Sequence, residues 1–134
     1  MSATVRNIIS IVVVYLTWSI MDYLIHGVLL QATNENTAEL WRPMDEMKMG
    51  TMQMVVFLSA VLFNILIVKF CNPITVKSAT LFGLLYGASV GLGMGYGTYA
   101  VMPIPYVLAL SWFVGTVFEA TAGGLLVGLI HRPR

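Results

Sequence analysis

Residues 8–30 read IISIVVVYLTWSIMDYLIHGVLL. This apolar run exceeds the roughly 20 residues that an α-helix needs to cross a bilayer. Its hydrophobic residues are continuous rather than alternating, which favours a spanning helix over a barrel strand. It is also longer than the roughly 7–15 residues of a signal-peptide core, with Arg6 as the only base ahead of it and no small-x-small cleavage site behind it. A retained membrane helix is the expectation.

Three more runs of spanning length follow, at about residues 50–70, 78–101 and 105–130. The expected fold is all-α: a four-transmembrane-helix bundle forming one integral membrane domain over residues 1–134. Composition agrees. The chain is 58% hydrophobic and 10% charged, where soluble domains carry roughly 25% charged residues. A soluble core of this length has too little interior to hide so much apolar surface. A net charge of +1 offers no basic field for nucleic acid. Cys71 is the only cysteine, which excludes an intrachain disulfide and any CxxC redox or metal motif.

Charge orients the bundle. Arg6, Lys69, Lys77, Arg132 and Arg134 fall on one side of four spans. Arg42 and Lys48 fall on the other, in a connection that also holds Glu35, Glu39, Asp45 and Glu46. Bases in short loops mark the cytoplasmic side, so both termini are expected inside and residues 31–49 outside. Within that outer connection, Trp41 and Arg42 suit the headgroup level. Thr37 is expected to cap a short helix and Pro43 to start a second turn, making residues 37–49 a helix that lies on the outer membrane face as an anchor or folds over the bundle mouth.

Small residues recur every four positions in the third run, at Ala79, Gly83, Gly87, Gly91 and Gly95, and again in the fourth at Ala120, Gly124 and Gly128. Such stripes let helix backbones approach closely in lipid. Packing within the chain or between subunits is the first reading, and a glycine-lined path the second. Gly91–Tyr99 is a poor match to a potassium filter, because its glycines sit inside a full-length span with no separate pore helix.

Asp22, His26, Asn64 and Glu119 interrupt the apolar runs. Ionisable groups at membrane depth are costly and usually face a bundle interior or a cavity. Asp22 and His26 are four apart and share a helix face, continued by Tyr15 and Trp18. At 1.5 Å per residue, Asp22 lies roughly 12 Å and His26 roughly 6 Å below the outer end, with Tyr96 and Trp112 at roughly 8 and 10 Å. Glu119, Asn64 and Tyr86 fall at roughly 21, 18 and 22 Å. Two polar tiers are expected, one of Asp22, His26 and Tyr96 and one of Asn64, Glu119 and Tyr86. An interhelical polar lock, a proton or ion relay and a metal site using Asp22 and His26 all remain open. Met44, Met47, Met49, Met52 and Met54 are soft thioethers suited to Cu(I), but equally flexible filler, with no cysteine nearby. No metal and no cofactor is expected.

The motifs Asp22-x-x-x-His26-Gly27, Leu40-Trp41-Arg42-Pro43 and Gly97-Thr-Tyr-Ala-Val-Met-Pro-Ile-Pro105 resemble a group of small bacterial integral membrane proteins with no assigned activity. The likeness spans most of the chain. It implies four helices and a place in the bacterial inner membrane, and carries no substrate or site residue with it.

The chain shows no nucleophile–base pattern and no phosphate loop, so an enzyme is not expected. His26 and His131 would lie near opposite faces and could not ligate one intrachain haem. The leading expectation is a helix-packing protein of the lipid bilayer, an accessory subunit of a membrane complex or a homo-oligomer. The alternative is a minimal proton- or cation-handling channel or transporter using Asp22, His26 and Glu119. The topology is testable by cysteine labelling in a Cys71→Ser background. Glu39→Cys should react with an impermeant thiol reagent on intact cells and Lys77→Cys only after the membrane is opened; reaction of Lys77→Cys from outside would reverse the orientation.

Overall fold

A computed structural model describes residues 1–132 of the chain; Arg134 lies outside the described residues. Helix α1 runs over Ala3–Leu29, α2 over Gln31–Asn36, α3 over Met49–Phe70, α4 over Val76–Val101 and α5 over Tyr106–His131. The described residues contain no strand, and α1, α3, α4 and α5 are each long and apolar enough to cross a membrane.

The start of each helix follows from its local chemistry. α1 begins at Ala3, earlier than the apolar run, because the Ser2 hydroxyl accepts the Val5 N–H at 3.3 Å and caps the first turn. α4 begins at Val76 because Thr75 and Ser78 form a reciprocal capping box: the Ser78 N–H donates to Thr75 Oγ1 at 3.0 Å, and the Thr75 N–H to Ser78 Oγ at 2.9 Å. Pro105 precedes the first turn of α5, where its missing N–H costs nothing. Two stretches widen to π geometry, Tyr23–Leu29 in α1 and Leu92–Gly97 in α4.

The short 102–105 connection makes α4 and α5 antiparallel neighbours, and the glycines decide how close they come. A Cβ at Gly87 would stand 2.8 Å from Thr116 O and from Ala120 Cβ, and one at Gly91 3.0 Å from Phe113 O. At Gly83, Gly95 and Gly124 it would collide with the backbone carbonyls of Ala120, Ala109 and Ala79. Gly128 meets Val76 Cα in the same way. The two stripes are therefore one seam, spent inside the chain, with backbone lying on backbone.

The other seams are filled by side chains. α1 packs against both α5 and α3. From α3, Phe63 reaches α4 through Phe82 and Tyr86, with ring centroids 5.9 and 5.3 Å apart. Val14, Trp18, Val56, Ala60, Phe63, Ile67, Ala79, Ala120 and Val127 make one continuous core. Large apolar side chains such as Leu16, Ile20, Leu62, Leu85 and Phe118 point outward, a surface that suits lipid rather than water.

At the end carrying the long connection, residues 37–49 do not form the expected helix. α2 stops at Asn36, and 3₁₀ turns follow at Ala38–Leu40 and Met44–Glu46, the second entered from Pro43. Thr37 does not cap a following helix. Its hydroxyl donates back to Thr33 O at 2.9 Å and accepts the Trp41 indole N–H at 3.0 Å. That bond ties Trp41 down beside Trp112, 5.9 Å away between centroids, and Leu40 and Trp41 pack over Leu30, Ile104, Leu108 and Ala109. Arg42 is exposed beside them.

Gly87→Leu should abolish the folded state, because a side chain there must push two backbones apart. At Gly93 a Cβ would meet nothing within 4 Å, so Gly93→Leu should stay within about 1 kcal/mol of wild type. Unfolding of the purified variants in detergent checks this; equal tolerance at both sites would refute the seam.

Candidate functional site

The α1–α5 seam carries the polar chemistry. α5 turns a second small-residue face toward α1, one residue round from the face that meets α4. A Cβ at Gly115 would meet Ile25 Cδ1 at 3.1 Å, and one at Gly123 would meet the Trp18 indole at 3.1 Å and Phe63 at 3.2 Å. Gly115 and Gly123 bracket Glu119 one helical turn to either side. Trp18 fills the space over Gly123 and donates its indole N–H to the Glu119 carbonyl oxygen at 2.7 Å.

One turn beyond Trp18, the Asp22 carboxyl reaches the Glu119 carboxyl within hydrogen-bonding range. His26 Nε2 lies 3.9 Å from Asp22 Oδ1. Helix counting separates Asp22 and Glu119 into different tiers; the structure joins them. The reason is geometric. Ile25 meets Gly115 and Trp18 meets Gly123, so α5 begins several residues beyond the level of Leu30, and depths counted from the ends of the two helices do not share an origin. A carboxylate only accepts hydrogen bonds, so a bond between the two requires one shared proton. Glu119 Oε1 is buried with no donor among the described residues. The cluster is not sealed: Asp22 and His26 keep 37% and 45% of their side-chain exposure.

The remaining candidates are dispersed. Tyr96 does not join Asp22 and His26; its hydroxyl pairs with that of Tyr106 at 3.1 Å, and its ring packs on Phe113. Tyr86 stacks on Phe82 and meets Phe63 edge-on. Asn64 is fully buried in α3, its Oδ1 without a partner among the described residues. Tyr15 turns from the Trp18 face toward α3, donating to Gln53 Oε1 at 3.0 Å, where the Ser19 hydroxyl also donates at 3.4 Å. Gln53 escapes a reading of charged interruptions because it is neutral, yet it shares the core stripe of Val56, Ala60, Phe63 and Ile67. Gly115 and Gly123 escape because Glu119 stands between them where the four-residue repeat would place a small residue.

Met44, Met47 and Met49 are exposed along the turn and the start of α3. Among the described residues, no group of three His, Cys, Asp or Glu side chains is placed to hold a metal ion. The chain matches no family model, no curated protein and no solved structure.

Trp18→Phe keeps an aromatic ring but removes the donor and part of the indole's volume, and should lower stability in detergent by at least about 1 kcal/mol. Trp112 Nε1 is buried without a partner among the described residues, so Trp112→Phe should change stability by less than about 0.5 kcal/mol. Equal losses would mean that the indole bond contributes nothing.

Proposed function

We propose that the chain is a multi-pass membrane protein with both termini in the bacterial cytoplasm, and that it handles protons through Asp22, Glu119 and His26. The observation that carries this reading is the contact between two carboxyl groups across the α1–α5 seam, beside a partly exposed histidine. Two carboxyls in contact at membrane depth hold a proton between them more readily than two charges. His26 stands between that pair and the end of α1, where an imidazole can pass a proton to or from water. Trp18, Gly115 and Gly123 keep Glu119 in place. The α4–α5 seam supplies the rigid wall.

The orientation rests on the distribution of Arg6, Lys69, Lys77 and Arg132 against the acidic 31–49 connection. In that orientation Leu40, Trp41 and Arg42 form the interfacial segment over the outer mouth.

A second reading, a helix-packing accessory subunit or homo-oligomer, draws support from α3. Residues 49–55 are exposed apart from the contact of Gln53 with α1, leaving room for a helix of another membrane subunit or of a second copy. The small-residue stripe of α4 supports this reading less, because α5 already occupies it.

Proton flux into proteoliposomes discriminates the two. Wild-type protein should conduct, while Asp22→Asn and Glu119→Gln should lose more than about tenfold of that flux with stability changed by less than about 1 kcal/mol, since each amide keeps hydrogen-bonding capacity. No flux from wild type, with co-purification of another membrane protein, would replace the first reading with the second.

A further inference from the structure

The same seam holds a second polar group at its other end. Asn7 Oδ1, Ser10 Oγ and His131 Nε2 are all buried and lack a hydrogen-bond partner among the described residues. Ser10 is completely buried. Thr80, Thr116 and Thr121 satisfy their hydroxyls on the carbonyl four residues back, at 2.7, 2.7 and 2.6 Å; Ser10 makes no such bond.

The antiparallel register brings these atoms to one level. Ile25 meets Gly115, Asp22 meets Glu119 and Trp18 meets Gly123. Continued by two turns, the register sets Val14 opposite Val127, both fully buried in the same core, and Ser10 opposite His131. Arg6, one turn before Ser10, is close enough to His131 for their charges to interact. The register thus places three residues with unpartnered polar atoms on the terminal side of the Val14–Val127 layer. A buried hydroxyl, an amide oxygen and an imidazole nitrogen left without partners each carry an uncompensated desolvation cost. Together they offer both donors and acceptors to the two to four bonds that a buried water makes.

We infer that Asn7, Ser10 and His131 form a hydrated pocket holding one or a few water molecules, open toward the chain termini and closed above by Val14 and Val127. Resting on the proton-handling reading, the pocket is the access point for protons from the terminal side, and the valine layer with Trp18 is the dry barrier between it and Asp22–Glu119. The barrier prevents a continuous water file through the resting protein.

Cysteine accessibility tests hydration whether or not the protein moves protons, so failure here and failure of the flux assay are separate results. Cys71 is replaced by serine first. Its own thiol is pushed up by burial and would react slowly, but it would still add background. In membranes opened to both faces, Ser10→Cys should react with a charged methanethiosulfonate about tenfold faster than Val14→Cys or Val127→Cys, because the thiolate that reacts forms in water and is suppressed by apolar burial. His131→Cys reports on the same pocket from α5 should Ser10→Cys fail to fold, and it should react at a comparable rate. Folded Ser10→Cys and His131→Cys proteins that react no faster than Val14→Cys would overturn the pocket. Fast reaction at Val14→Cys as well would overturn the barrier.

Discussion

The contact of α4 backbone on α5 backbone is the constraint on which the rest of the molecule depends. In lipid, no hydrophobic effect draws one helix to another, and attraction must come from close van der Waals packing. Glycines at 83, 87, 91 and 95 and at 124 and 128 supply it along nearly the whole length of both helices. Once α5 is fixed on that side, the rest of its circumference is available to α1. There Gly115 and Gly123 repeat the device on a smaller scale, with large residues, Ile25 and Trp18, inserted into the space they leave. α3 has no such face. It is held by Phe63 and by the polar contacts of Gln53, while the residues around Gln53 in 49–55 stay exposed.

The polar chemistry follows from that division. A carboxyl group could not be tolerated on the α4–α5 seam, where there is no room for a methyl group. The α1–α5 seam is wider by one side chain and admits Asp22 and Glu119 together. The Trp18 N–H on the Glu119 carbonyl fixes the register at which they meet. Below that bond Val14 and Val127 close the seam. The seam therefore alternates between polar and apolar levels.

The π segments belong to the same end of the molecule. Tyr23–Leu29 carries His26, and Leu92–Gly97 carries Tyr96. His26, four residues after Asp22, stays on the same helix face and approaches it at 3.9 Å. In α4 the corresponding segment aims Tyr96 at Tyr106 and away from Asp22. Neither segment is legible in the residues, because GVLL and GMGYG carry no local signal that separates π from α geometry.

Composition and run length were sufficient for the four helices: residues 8–30 and the three later runs are each long and apolar enough to cross a membrane, and the spacing of glycines pointed to close packing. Cap chemistry at Ser2 and at Thr75–Ser78 was also present in the residues, although apolar runs alone placed those boundaries a few residues late. What the chain could not disclose was which faces meet. The four-residue glycine repeat does not say whether its partner is α5 or another copy; the two-proline connection and the contact geometry decide for α5. The depth of Asp22 and Glu119 counted along their helices set them apart, because such a count assumes that the ends of the two helices are level, whereas the packed register offsets them. Their meeting, the turning of Tyr15 toward Gln53 and the seating of Trp18 on Gly123 are properties of helix rotation and register. Those are set by packing between distant segments, and no local pattern of residues encodes them.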